Sequence, residues 1–238
     1  MQIELVVFDM AGTTVHDADT VGIHLRDAVR ATGVEVGTDD VNAVMGWPKP
    51  DAIRALLRDA RGAASVDERE VDRVHRSFVS RMVRHYATDP FVREVAGTSH
   101  VFRWLKDRGI KVAVDTGFSR PIADAILTRM GWIERGLVDV SVTSDEVQRG
   151  RPHPDLILLA MARAKVFHPS CVVKVGDTPA DLQQGRAAGC GLVVGVTRGT
   201  HTREQLESHP HDALLSTVAS LPGLLLGSIR KPRRLAVA

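Results

Sequence analysis

The chain has 238 residues, 44% of them hydrophobic and 25% charged, with a formal net charge of +2. That length and composition suit one large domain, or a core with a smaller insert, and they predict a sizeable buried core. The weak charge and the 4% aromatic content argue against a nucleic-acid partner, while a small anionic ligand stays compatible with both.

The first apolar, β-branched run, Ile3 to Phe8, reads as a strand. It follows Met1 with no basic region, apolar stretch and cleavage site, and no apolar run in the chain approaches the roughly 18 residues that span a bilayer. No membrane partner is therefore expected, and the cytoplasm is the default location. The spacing then turns helical, at Val21, Leu25, Ala28 and Val29 and again at Val71, Val74, Phe78 and Met82. About a hundred residues part the first strand-like run from the second, too many for one crossover helix, so residues 15–95 are expected to form a helical cap. Within it Met45-Gly46-Trp47-Pro48-Lys49-Pro50 interrupts the pattern, because each proline restricts itself and the residue before it. Lys49 is placed in a loop or at a helix start.

Gly97 marks the return to the core, ahead of a helix carrying Val101, Phe102 and Leu105. Strand-like runs follow at Lys111 to Val114, Leu137 to Val142, Cys171 to Val175 and Leu192 to Val196. Their alternation with helices predicts an α/β fold: a Rossmann-like parallel sheet core at 1–14 and 96–222, with the helical cap inserted after the first strand. Cys171 and Cys190 lie among apolar or small residues and read as two buried free thiols in a reducing compartment. Residues 223–238 are set apart as a C-terminal tail, where a basic cluster of Arg230, Lys231, Arg233 and Arg234 leaves order and disorder both open.

Four polar sites fall at expected strand ends or helix starts, where a doubly wound sheet places its ligands. They are Asp9, Asp115-Thr116-Gly117, Gly150-Arg151-Pro152 and Gly176-Asp177-Thr178-Pro179-Ala180-Asp181. Singly, Asp9, Thr116 and Asp181 read as helix caps and Arg151 as an exposed cation. Together they form a coherent site. Asp9 and Asp177 suit Mg2+, a hard cation that takes oxygen ligands, and Asp181 is placed to orient the metal's waters. Thr116, the Gly117 amide and Arg151 would neutralise the oxygens of a phosphoryl group attacked by Asp9.

This set resembles the haloacid dehalogenase superfamily of aspartate-nucleophile phosphotransferases. Most phosphatases of that superfamily carry Asp-x-Asp and a lysine where this chain has Asp9-Met10-Ala11 and Arg151. Those departures, with Gly12-Thr13-Thr14, resemble the phosphonoacetaldehyde hydrolase branch. That branch also draws a lysine from the cap in a Met-Gly-x-x-Lys setting, matched here by Met45-Gly46-Trp47-Pro48-Lys49. The resemblance covers nearly the whole chain except the tail. It implies that the Ala11 backbone carbonyl ligates Mg2+, that Lys49 forms a Schiff base, and that two copies pair through their caps. Two positions depart from the branch: Ala52 stands where it has a histidine, and Phe118 where it has a tyrosine. His24, His75, His85 and His100 are the histidines considered as substitutes for the missing base.

The chemistry of the two departures is consistent. Breaking a carbon-phosphorus bond expels a carbanion, and an iminium formed between an amine and an adjacent carbonyl accepts those electrons. An alkoxide leaving group instead benefits from a second carboxylate acting as general acid, and Ala11 offers none. The expectation is a Mg2+-dependent hydrolase of a small 2-oxoalkylphosphonate such as phosphonoacetaldehyde. The alternatives are a phosphatase on a small phosphate monoester and a non-catalytic protein that binds a phosphorylated metabolite.

Overall fold

The structure, a computed structural model, describes residues 2–62 and 66–230, the last three by their backbone. One parallel sheet holds six strands in the order β3-β2-β1-β4-β5-β6. They are β1 (Leu5–Asp9), β2 (Lys111–Thr116), β3 (Val140–Thr143), β4 (Val172–Gly176), β5 (Leu192–Val196) and β6 (Ala213–Leu215). Every residue of β1 is buried, which a strand covered on both faces requires. Val6 and Phe8 enter one apolar core while Leu5 and Val7 enter the other, as the two-residue period of a strand dictates.

The chain builds outward from β1 to β2 and β3, then crosses back over β1 to β4 and continues to β6. That reversal opens a crevice beyond the carboxyl ends of β1 and β4. Asp9 stands at its edge, in register with Asp115 of β2. The strand expected over Leu137 to Val142 begins only at Val140, because Asp139 turns its carboxylate back to accept from the Val112 amide at 2.8 Å. The strand β6 has no counterpart among the expected runs: its three residues are only half-buried, at the edge of the sheet.

Between β1 and β2 lie α1 (Thr20–Arg30), α2 (Thr38–Ala43), α3 (Lys49–Arg61) and α4 (Glu68–Thr88). Helices α1 and α3 pack on α4, burying Val21, Leu25, Ala28 and Val29 of α1 against Val71, Val74, Phe78 and Met82 of α4. Full burial of a side chain such as Phe78 contributes about 1.5–3 kcal/mol, so this apolar face, more than helix propensity, holds the layer together. The chain enters and leaves this layer side by side. The His16 amide donates to the Arg93 carbonyl at 3.0 Å, and the Val95 amide to the Thr14 carbonyl at 2.9 Å.

The sheet is flanked by α5 (Thr98–Lys106), α6 (Arg120–Met130), α7 (Asp155–Ala164), α8 (Pro179–Ala187), α9 (Arg203–Glu207) and α10 (Leu221–Arg230). The last of these corrects the tail boundary: residues 223–230 continue a helix that buries Leu221 and Leu225 in the core. Lys231, Arg233 and Arg234 of the basic cluster lie outside the described residues. Cys171 and Cys190 are both free, but only Cys190 is buried, since Cys171 ends the loop before β4 and is partly exposed. Among the described residues no helix is long and apolar enough to cross a membrane.

Candidate active site

The turn after β1 folds on itself: the Thr14 and Val15 amides both donate to the Met10 carbonyl, at 2.9 and 2.8 Å. Gly12 carries this turn at φ +87, a region that disfavours side chains, and a Cβ there would also stand 2.8 Å from the Asp177 carboxyl carbon. The Asp177 carboxylate fills that space. Thr13 Oγ1 donates to its Oδ1 at 2.8 Å and the Thr200 amide to its Oδ2 at 2.6 Å.

Asp181 lies one turn into α8, where Pro179 occupies the first helical position and Thr178 caps the end. Its Oδ2 accepts from Thr178 Oγ1 at 2.6 Å and from the Thr178 amide at 3.2 Å, so Asp181 does act in a helix cap. Its other oxygen faces the site. Arg151 is buried, not an exposed cation. Its Nη1 donates to Asp9 Oδ1 at 2.6 Å and lies 3.0 Å from Asp181 Oδ1, while its Nη2 donates to Asp115 Oδ1 at 2.6 Å. Lys174 rises from the middle of β4, pairs with Asp115 Oδ1, and stands 3.1 Å from Asp181 Oδ1.

Four buried carboxylates, Asp9, Asp115, Asp177 and Asp181, thus share two buried cations, Arg151 and Lys174. The imbalance shows in their titration. Burial, with the charges of Asp181 and Asp177, holds Asp9 well above the usual carboxylate range despite Arg151. Burial and the neighbouring Asp181 push Asp177 up to about 6. Burial works the same way on Asp181, but Arg151 and Lys174 outweigh it and hold that group low. Asp9, Asp177 and Asp181 each bring an oxygen within 4.8 Å of the others, so the donor set and its uncompensated charge fit a hard divalent cation.

Above this cluster is a narrow cleft lined by Asp9, Ala11, Met45, Gly46, Lys49, Thr116, Gly117 and Arg151. Thr116 ends β2, with its Oγ1 accepting from the Phe118 amide at 3.1 Å. From the other side the loop before α3 presses down on Gly117, whose absent Cβ would stand 2.6 Å from the Trp47 carbonyl oxygen and 2.7 Å from that of Gly46. Lys49 opens α3 with 2% of its surface exposed. Its Nζ has one long hydrogen bond, 3.4 Å to the Trp47 carbonyl, and lies 5.5 Å from the centre of the Phe118 ring. Burial, then the charge of Arg151, lower its pKa to about 8.

Three features of the site escaped the sequence reading. Lys174 was detectable in principle, as a lone charge inside the apolar run Val172-Val173-Lys174-Val175. Thr13 and Thr200 hold Asp177 through contacts far apart in the chain, which no local pattern signals. Asp17, in the irregular stretch before α1, also lines the cleft. Of the histidines considered as substitutes for a base, His24, His75, His85 and His100, none lines it.

A doubly wound parallel sheet with buried acids gathered at its switch point defines a Rossmann-like α/β protein with a candidate cation-binding active site. The haloacid dehalogenase-like hydrolase family model matches residues 3–189, and the chain belongs to that family. Phosphonoacetaldehyde hydrolase of Bacillus cereus (strain G9842) is 30% identical over 223 residues, covering 87% of this chain and 82% of that protein. Two solved structures share the fold. A phosphonoacetaldehyde hydrolase-like protein from Oleispira antarctica has a TM-score of 0.82 at 23% identity, covering 97% of this chain and 94% of its own. A predicted phosphoglycolate phosphatase from Haemophilus somnus has a TM-score of 0.77 at 20% identity, covering 94% and 99%.

Proposed function

We propose that the protein hydrolyses the carbon-phosphorus bond of a small 2-oxoalkylphosphonate, phosphonoacetaldehyde or a near homologue. In this reading Lys49 condenses with the carbonyl, Asp9 attacks phosphorus, and the organic fragment leaves as an enamine. A proton from water at the enamine carbon restores the imine, and water then cleaves the imine and the aspartyl phosphate. Thr116, Gly117 and Arg151 bind the phosphoryl oxygens, and Met45 and Gly46 close the cleft from the cap. Asp9, Asp177 and the Ala11 carbonyl would hold Mg2+, oriented through Asp181, and the cation would screen the anionic nucleophile from the anionic phosphorus group.

The observation that carries the reading is Lys49: a lysine taken out of water, with no carboxylate bonded to it, in the same cleft as Asp9. An ordinary lysine at neutral pH has almost no free amine, whereas one near 8 holds roughly a tenth of it unprotonated at pH 7. The resemblance also implies pairing of two copies through their caps, which light scattering would detect. The competing reading, a phosphatase on a small phosphate monoester, has one observation in its favour. Asp17 brings to the cleft a carboxyl whose pKa burial raises, an acid for an alkoxide leaving group. It leaves the burial of Lys49 unexplained.

The test is to incubate the protein with phosphonoacetaldehyde, add borohydride, and locate the reduced adduct by mass spectrometry while following phosphate release. An adduct on Lys49 with phosphate release is expected. Turnover of phosphate esters with no adduct would overturn the proposal.

A further inference from the structure

We infer that Asp17 is the proton donor for imine formation on Lys49, and the base that recovers that proton when the imine is hydrolysed. The inference rests on the reading of Lys49 above. Condensation of an amine with an aldehyde stalls at the carbinolamine unless an acid protonates its hydroxyl. The balanced step is amine plus aldehyde plus carboxylic acid giving iminium, water and carboxylate. The C–O bond breaks, its electrons leave with the oxygen, and the nitrogen lone pair forms the new π bond. In the reverse direction a water adds to the iminium carbon and its proton returns to the carboxylate.

The cleft supplies few groups for this. Among the described residues that line it, the titratable side chains are Asp9, Asp17, Lys49 and Arg151. Asp9 is bonded to Arg151 and is the attacking group, Arg151 keeps its proton, and Lys49 is the amine itself. Asp17 is uncommitted. Its Oδ1 accepts from the Thr20 amide at 2.7 Å and the Val21 amide at 3.4 Å, closing the first turn of α1, and its Oδ2 has no hydrogen-bond partner among the described residues. One oxygen therefore fixes the carboxyl while the other is free for substrate.

The surroundings shift the carboxyl toward its acid form. Burial raises the Asp17 pKa, opposed by the two amides and reinforced by the charge of Asp19. The groups that act on it or feel it are His24 of α1, Lys49 of α3, and His85 and Tyr86 of α4. His85 is itself engaged by Asp89, at 3.2 Å.

Two variants separate the proton from the helix cap, because asparagine and serine both accept amide hydrogens at a helix start. Acetaldehyde serves as the probe: with borohydride it should ethylate Lys49 of the wild type without any phosphorus chemistry. In Asp17→Asn the rate of adduct formation should fall about a hundredfold, the lower range for loss of a general acid. Phosphate release from phosphonoacetaldehyde should fall with it. In Asp17→Ser added formate should restore much of the adduct rate, a rescue that a purely structural role would not give. An Asp17→Asn rate within twofold of wild type, or no formate rescue in Asp17→Ser, would overturn the inference while leaving the Lys49 proposal intact. No adduct in the wild type would overturn both.

Discussion

Lys49 begins α3 with its ammonium out of water, and that placement is expected to work against stability while it serves chemistry. In the unfolded chain the amine titrates at its ordinary 10.5, and in the folded protein at about 8. Below pH 8 both states are protonated and the folded state bears the full burden, roughly 3 kcal/mol for a shift of that size. Between the two values the unfolded state binds more protons, so this contribution to stability rises with pH and the burden disappears above about 10.5. Lys49→Met should therefore abolish adduct formation and phosphonate cleavage, yet raise the urea midpoint at pH 7. The gain should shrink when the titration is repeated at pH 10. A variant that is less stable than wild type at pH 7, or whose gain is the same at both values, would show that Lys49 is not held in this state.

The loop between α2 and α3 meets the end of β2 through its backbone carbonyls. Gly117 gives the carbonyls of Gly46 and Trp47 room to approach the end of β2, and Thr178 Oγ1 and Pro48 make similar approaches at Gly46 and Gly150. Gly117→Ala would put a methyl 2.6 Å from the Trp47 oxygen, so the loop must lift and carry Lys49 away from Asp9. A displacement near 1 Å costs on the order of a hundredfold in a reaction that depends on near-attack geometry. We expect kcat to fall by about that factor with the melting temperature little changed, and amide exchange to quicken at residues 44–50. Unchanged exchange in that loop would contradict the argument. This contact also marks where the sequence stopped being legible. The strands β1, β2, β4 and β5 announce themselves as β-branched runs because each is buried on both faces, and α1 and α4 through the spacing of one apolar face. Asp9, Thr116 and Asp177 stand out because they end or follow those runs, and Arg151 because it lies between Gly150 and Pro152 ahead of a helix. Asp17 does not, since the stretch His16-Asp17-Ala18-Asp19 has no period and its place in the cleft is set by the path of the chain into α1.

At the scale of the whole molecule, two layers meet over an acidic cluster whose charge the protein does not balance by itself. The strands, the loops at their carboxyl ends and the first turn of α8 contribute Asp9, Asp115, Asp177, Asp181, Arg151 and Lys174, and the overlying layer adds Asp17 and the partly neutral Lys49. A divalent cation, if held by Asp9 and Asp177 as proposed, would have to displace the protons that burial favours on them. Since both folded-state pKa values are raised, the cation-free protein binds more protons than the unfolded chain from about pH 4 to beyond 6, and its stability from this source declines as pH rises. Binding of Mg2+ to the folded state alone would oppose that decline, by about 2.7 kcal/mol when the ion is at a hundred times its dissociation constant. The rise in melting temperature on adding Mg2+ should therefore be small at pH 5, where protons compete, and grow steadily to pH 8. Asp177→Asn, which keeps one acceptor oxygen, for Thr13 Oγ1 or for the Thr200 amide but not for both, and loses the charge, should remove most of the effect at every pH. Differential scanning fluorimetry of both proteins with and without Mg2+ gives the comparison directly. A shift that is independent of pH, or that survives in Asp177→Asn, would mean that the ion binds elsewhere and that the buried acids answer to protons alone.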